Sequence, residues 1–154
     1  MVGELRRVRA IADYQFGDGS GAALFSDEVE FERSKNTGKL RFVRLHGVLI
    51  ASLRASDSLF TLTIEGAERL LSGTPDLGYT VTILDDVAEF ASKGKNVFAR
   101  HVVKAGEGIR PGDEVIVLNS KREVLAVGRA LLNAEEMIAF GTGVAVRTRR
   151  GRGG

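Results

Sequence analysis

Cysteine and tryptophan are absent from this 154-residue chain, and proline occurs only twice. Without cysteine there is no disulfide framework, no thiolate metal centre and no cysteine nucleophile. The two histidines, His46 and His101, lie in opposite halves and form no HxxxH pair, so a metal site would have to be built from oxygen ligands alone. No GxSxG nucleophile elbow occurs. No apolar run approaches the roughly 18 residues that span a bilayer, and the opening MVGELRRVRA lacks the apolar stretch of a signal peptide. These absences predict a cytoplasmic protein with no cofactor, no metal, no membrane contact and no catalytic residue of its own.

What is present is a folded composition, with 44% hydrophobic and 27% charged residues. The net charge of +2 is unevenly placed. Residues 1 to 78 carry ten Lys/Arg against eleven Asp/Glu, and residues 79 to 154 carry twelve against nine. The closing RTRRGRGG contains no acid, and a basic patch rather than a basic average is what a polyanion feels. Its last four residues, 151–154, read as a basic, glycine-rich tail, either a solvated terminus or part of that patch.

Apolar residues at 5, 8, 11, 12 and 16 have helical spacing, with arginines on the other face. GDGSGA, residues 17–22, interrupts this helix. Segments 28–33, 40–46, 48–54 and 59–64 are short, rich in β-formers and divided by SKNTGK, HG and ASDS, the pattern of an antiparallel meander. EGAERLLSG is a second helix, closed by Gly73 ahead of Pro75. Residues 1–77 therefore read as an α+β domain. From Tyr79 the pattern restarts: YTVTIL a strand, DVAEFASKG a two-turn helix capped by Asp85 or Asp86 and stopped by Gly94, NVFARHVV a strand. DEVIVLN and VLAVGRALL follow as strands, NAEEMIAFG as a helix capped by Asn133, and VAVRTR as a last strand. Short strands with one- or two-turn helices between them suggest a small mixed barrel over 78–150.

Three motifs invite chemistry. GDGSGA formally fits the dinucleotide fingerprint, which needs a strand before it and a helix after; here a helix precedes and a strand region is expected to follow. Lys93-Gly94-Lys95 is not a nucleotide P-loop, because Glu89 stands where its first glycine belongs and Asn96 replaces the magnesium-binding hydroxyl. It remains a cationic helix end that can offer ammonium groups and backbone N–H groups to phosphates, or simply complement the helix dipole. SKNTGKLR is a basic hairpin tip, a solvated turn or a probe into a groove. The adjacent acids Asp27-Glu28, Asp85-Asp86 and Glu135-Glu136 nominate no acid–base pair.

Read together, TVTILDDVAEFASKGKNVFARHVV, GIRPGDEVIVLN and VLAVGRALLNAEEMIAFGTGVAVRTR closely resemble a PUA domain, the RNA-binding module named for pseudouridine synthases and archaeosine transglycosylases. IADYQFGDGSGAALF and SKNTGKLRFVRLHGVLIASLRASDSLFTLTIEGAERLL resemble the domain that precedes PUA in archaeal tRNA-guanine transglycosylases and archaeosine synthase. The resemblance implies tRNA binding, with the PUA domain on the acceptor stem and 3′ end and catalysis on a barrel this chain lacks. It departs from that family in having no cysteine-rich zinc site and in reading ASDS at 55–58 where the family has ASDG. By position it implies an RNA surface of Ser92, Lys93, Gly94, Lys95, Asn96, Val97, Arg100, Arg147, Arg149 and Arg150, with further contacts at Lys35, Asn36, Lys39 and Arg41. Strand alternation puts Phe98 in the core and Lys95 and Val97 opposite, so Phe98 is expected to pack rather than stack on bases. RPGD is expected to be a type II turn, with Gly112 at positive φ.

The expected function is a stand-alone tRNA-binding module, the initial Met favouring a separate chain, acting with a separately encoded modification subunit. Two alternatives stand beside it. One is an enzyme using convergent carboxylates such as Asp13, Asp18 or Asp57. The other is a protein-interaction module that has lost RNA binding.

Overall fold

The computed structural model describes residues 2–154, which divide into two compact units, one ending at Asp76 and the other beginning at Leu77. In the first unit, helices α1 (Val2–Phe16) and α2 (Ser20–Leu24) precede a four-stranded antiparallel meander. Its strands are β1 (Glu30–Arg33), β2 (Leu40–Leu45), β3 (Val48–Leu53) and β4 (Phe60–Leu62), followed by helix α3 (Ile64–Gly73). Val8, Ala12 and Phe16 line the buried stripe of α1, four residues apart. Phe25 and Phe60 meet in the core with ring centroids 5.0 Å apart. His46 and Gly47 take positive φ (51° and 81°), the two-residue turn that matches strand twist. The glycine run departs from expectation: it opens the short helix α2 rather than a strand, and the Gly21 amide donates to Asp13 Oδ1 at 2.7 Å. With helices on both sides it lacks the strand a dinucleotide site requires.

The second unit is a mixed sheet of six strands in the order β6-β10-β9-β8-β5-β7. They are β5 (Thr80–Ile83), β6 (Val97–Phe98), β7 (Val102–Ala105), β8 (Glu114–Leu118), β9 (Val124–Ala130) and β10 (Val144–Gly151), with helices α4 (Ala88–Ser92) and α5 (Ala134–Ala139). β5 and β8 pair in parallel; every other pair is antiparallel. The edge strands β6 and β7 are joined by a single 3-10 turn, Ala99–His101, so the sheet curls into a nearly closed barrel. Val81, Ile83, Val115, Val117, Ala126, Val146 and Met137 fill it. Asn133 and Glu136 form a reciprocal capping box on α5. Gly112 has φ 96° and the Asp113 amide donates to the Arg110 carbonyl, as the RPGD turn requires.

Two local expectations fail here, and one left open is decided. NVFARHVV is two strands broken by the 3-10 turn, because the chain must pass from one sheet edge to the other. Neither Asp85 nor Asp86 caps α4; the Asp85 carboxylate instead accepts from the Ser120 amide (2.9 Å) and hydroxyl (2.5 Å). The residues after Arg150 are not a loose tail. Gly151 continues β10, the Arg152 amide donates to Leu125 O at 2.8 Å, and the Gly153 amide donates to Ser92 O at 2.7 Å.

Candidate nucleic-acid interface

Helix α4 ends in a tightly closed turn. Gly94, at φ 96°, donates its amide to Ala91 O (2.9 Å), and Lys95 donates to Phe90 O (3.0 Å). This pair of bonds is the Schellman arrangement, which needs a left-handed residue just past the helix. The amides of Lys93, Gly94 and Lys95 are therefore spent on helix carbonyls. The turn has no backbone N–H to offer a phosphate, contrary to the sequence reading; its ammonium groups remain. Lys93 Nζ lies 3.0 Å from Glu89 Oε1, an exposed pair of little energetic worth.

The glycine that permits close backbone approach here is Gly151 rather than Gly94. A Cβ built on Gly94 meets nothing, whereas one on Gly151 would lie 2.3 Å from Ser92 O and 2.6 Å from Gly94 N. Strand β10 thus lies directly under the lysine turn and fixes its position.

Beside this turn opens a pocket of about 510 Å3. Ile83, Val87 and Ala91 form its apolar base, and Phe90 and Phe98 its walls. Lys95, Arg100 and His101 stand at its edge. The predicted alternation is inverted: Val97 is buried (3% exposed) and Phe98 faces outward (41%). Strand β6 has only two residues, and its pairing with β10 shifts register between Val144 and Val146, so alternation counted from the flanking sequence does not carry through. Phe90 on α4 is more exposed still, at 56%. The Arg100 guanidinium lies 5.2 Å above the Phe98 ring, and His101 meets that ring edge-on at 6.2 Å. An apolar slot with exposed aromatic walls and a cationic rim suits a flat heteroaromatic group that carries a phosphate.

The structure thus gathers Lys95, Asn96, Val97, Phe98 and Arg100 at one pocket, while Ser92, Lys93, Gly94, Arg147, Arg149 and Arg150 lie outside its lining. Asn96 Oδ1 accepts from the Thr148 amide at 3.1 Å, tying the pocket to β10. Arg149 forks onto the buried Glu114, with Nη1 to Oε1 at 2.8 Å and Nη2 to Oε2, so its charge is matched inside the protein. Arg147 and Arg150 are exposed on β10, and no carboxylate pairs with either among the described residues. In the first unit Lys39 and Arg41 line a smaller cavity, and Lys35 and Asn36 do not. Sequence reasoning missed Phe90, Phe98 and His101. Two aromatics beside the basic turn were the available signal; Phe98 was read as core because the 3-10 break was unseen, and Phe90 was not singled out.

Two of the three carboxylates considered have structural partners. Asp13 is engaged by Gly21, and Asp57 is forked by Arg54 (3.1 and 2.9 Å) at a hairpin tip. Among the described residues no group of three or more His, Asp or Glu side chains is placed to hold a metal, and no helix is long and apolar enough to cross a membrane.

Comparison with known proteins agrees with this geometry. Residues 79–152 match the PUA domain, and residues 6–76 match the patch-forming domain C2 of tRNA-guanine transglycosylase. The chain thus carries a PUA domain preceded by a C2-type domain. More narrowly, it is homologous to the C-terminal region of the archaeal tRNA-guanine(15) transglycosylases. It is 48% identical over 150 residues to that enzyme of Methanothermobacter thermautotrophicus, covering 97% of this chain and 23% of the relative. Against the Thermococcus kodakarensis enzyme it is 47% identical over 150 residues, covering 97% and 26%. The chain thus spans about a quarter of the length of the curated relatives it matches. In fold it is similar to a conserved PUA domain protein from Thermoplasma acidophilum (TM-score 0.74, 21% identity, 100% of this chain and 92% of the other). A hypothetical protein from Pyrococcus horikoshii is also similar (TM-score 0.77, 20% identity, 98% and 91%).

Proposed function

We propose that this chain binds RNA, specifically the acceptor stem and unpaired 3′ end of tRNA, and that it serves an archaeosine-type tRNA modification system in the cytoplasm as a non-catalytic module. The observation that carries the proposal is the Phe90–Phe98 pocket with Lys95 and Arg100 at its rim. An unstacked 3′ nucleotide places its base against the aromatic walls, and the flanking phosphates meet Lys95, Arg100 and the exposed Arg147 and Arg150. Stacking tolerates any base, while the cations supply affinity that weakens with salt. Relatives named as tRNA transglycosylases support tRNA as the ligand. Their length, about four times that of the matched region, supports catalysis outside this module.

The test is fluorescence anisotropy of the full chain with intact tRNA and with tRNA lacking its unpaired 3′ nucleotides, over a range of KCl. Phe98→Ala is expected to weaken intact tRNA by roughly 5- to 150-fold, the worth of one stacked base, and truncated tRNA far less. Equal effects on the two RNAs would remove the pocket from the interface, and no measurable tRNA affinity in the unmodified chain would remove the function.

A further inference from the structure

We infer that the N-terminal unit carries a cup for a single phosphate group of the bound RNA, formed between the tips of its two longer hairpins. The inference rests on the RNA-binding reading only for the source of the phosphate. The cavity is about 150 Å3, too small for a base with its sugar and suited to one tetrahedral oxyanion. Arg7 reaches it from α1, Lys39 and Arg41 from the start of β2, and Arg54 from the end of β3. Arg54 shares its charge with Asp57. Arg7, Lys39 and Arg41 have no carboxylate partner among the described residues. Three uncompensated cations thus converge on one concavity whose lining contains no acid. Their mutual repulsion falls when an anion enters.

A second, independent feature marks the same spot. The two hairpin tips share one design: the Gly38 amide donates to Ser34 O (2.8 Å), and the Ser58 amide donates to Arg54 O (2.9 Å). Each tip is then closed by a cross-strand bond, from Ser34 N to Lys39 O and from Arg54 N to Leu59 O, each 2.8 Å. The matching left-handed position is glycine in one tip (Gly38, φ 71°) and serine in the other (Ser58, φ 60°). Glycine adopts this conformation freely; a residue with a Cβ does not. The turn therefore does not ask for serine, and the serine side chain lines the cup. Backbone strain retained at a pocket wall is characteristic of ligand clamps. With Thr37 also in the lining, hydroxyl donors stand beside the cations, the mixture that recognises phosphate oxygens.

The test uses the isotope-labelled full chain, titrated with inorganic phosphate against chloride at matched ionic strength and followed by amide chemical shifts. Phosphate is expected to move residues 34–41 and 54–59 saturably, and a Lys39→Gln/Arg41→Gln variant to lose that response. Ser58→Gly should weaken the response while melting no lower than the parent, which separates ligand contact from turn architecture. In tRNA titrations the double variant should lower the salt slope by about one unit, the share of a single phosphate, and weaken binding at 100 mM KCl by roughly tenfold. Phosphate that moves no cup amide beyond chloride, or a double variant with an unchanged slope, would overturn the proposal even if tRNA binding stands. A chain that binds phosphate at the cup but no tRNA would overturn RNA as its source.

Discussion

Replacing Arg149 with alanine separates a structural cation from a ligand-binding one. The Glu114 side chain is only 1% exposed, and both its oxygens accept from the Arg149 guanidinium. Deleting the arginine removes the fork from a carboxylate buried in the barrel wall, and losing one partner of a fully buried pair costs about 3–5 kcal/mol. Arg149 is itself 39% exposed, so water reaches the pair from one side and the cost falls to about 2–3 kcal/mol. In a unit of this size each kcal/mol moves the melting temperature by about 4–8 °C, so calorimetry of the full chain should show the C-terminal transition roughly 10–20 °C lower. The slope of tRNA affinity against salt, measured well below that transition, should not change. A Glu114→Met/Arg149→Met double variant should recover most of the lost stability, because it removes the charge rather than abandoning it. The reasoning fails if Arg149→Ala melts like the parent while its salt slope drops by about one unit. That outcome would return Arg149 to the RNA surface where its place in the sequence first put it.

Gly151→Ala should destabilise the C-terminal unit by about 1–3 kcal/mol, since its Cβ would fall 2.3 Å from Ser92 O and 2.6 Å from Gly94 N, both backbone atoms. Gly153→Ala meets the Ser92 hydroxyl at 3.2 Å, which can rotate away, and should cost less than about 0.5 kcal/mol; thermal melts of the two variants side by side check the contrast. The Ser120 hydroxyl and amide hold the Asp85 carboxyl below the usual carboxylate range. Its folded value is thus under its unfolded value, so the stability it adds is complete above about pH 4 and disappears as pH falls through the folded value. The stability gap between the parent and Asp85→Asn, measured by denaturant titration from pH 7 to pH 2, should close in that window; a constant gap would refute the linkage.

Most elements were legible because their signals are local. The Asn133 cap, the HG turn and the RPGD turn each specify geometry within four residues, and each is found as read. The failures share one cause, which is that distant partners decided them. Phe98 faces outward because a 3-10 turn carries the chain between two sheet edges, a demand of barrel closure that no window around residue 98 contains. Asp85 left its cap for Ser120, 35 residues away. Arg149 met Glu114 at the same separation, and an alternating strand pattern identifies neither partner. Gly94 stops its helix as read, but the close packing beneath that turn depends on Gly151, on a strand 57 residues later. The cup was half visible: Lys39 and Arg41 stood out by charge, while Arg7, Arg54 and Ser58 arrive from elsewhere in the fold.

The docking of Gly153 onto the Ser92 carbonyl has a practical corollary. Any polypeptide joined after Gly154, whether an affinity handle, a fluorescent protein or a natural continuation, emerges against the lysine turn, where Gly154 packs on the Lys93 backbone. An acidic extension there would compete with RNA for those ammonium groups and lower apparent affinity with no residue altered. Labels for binding work therefore belong at the other terminus.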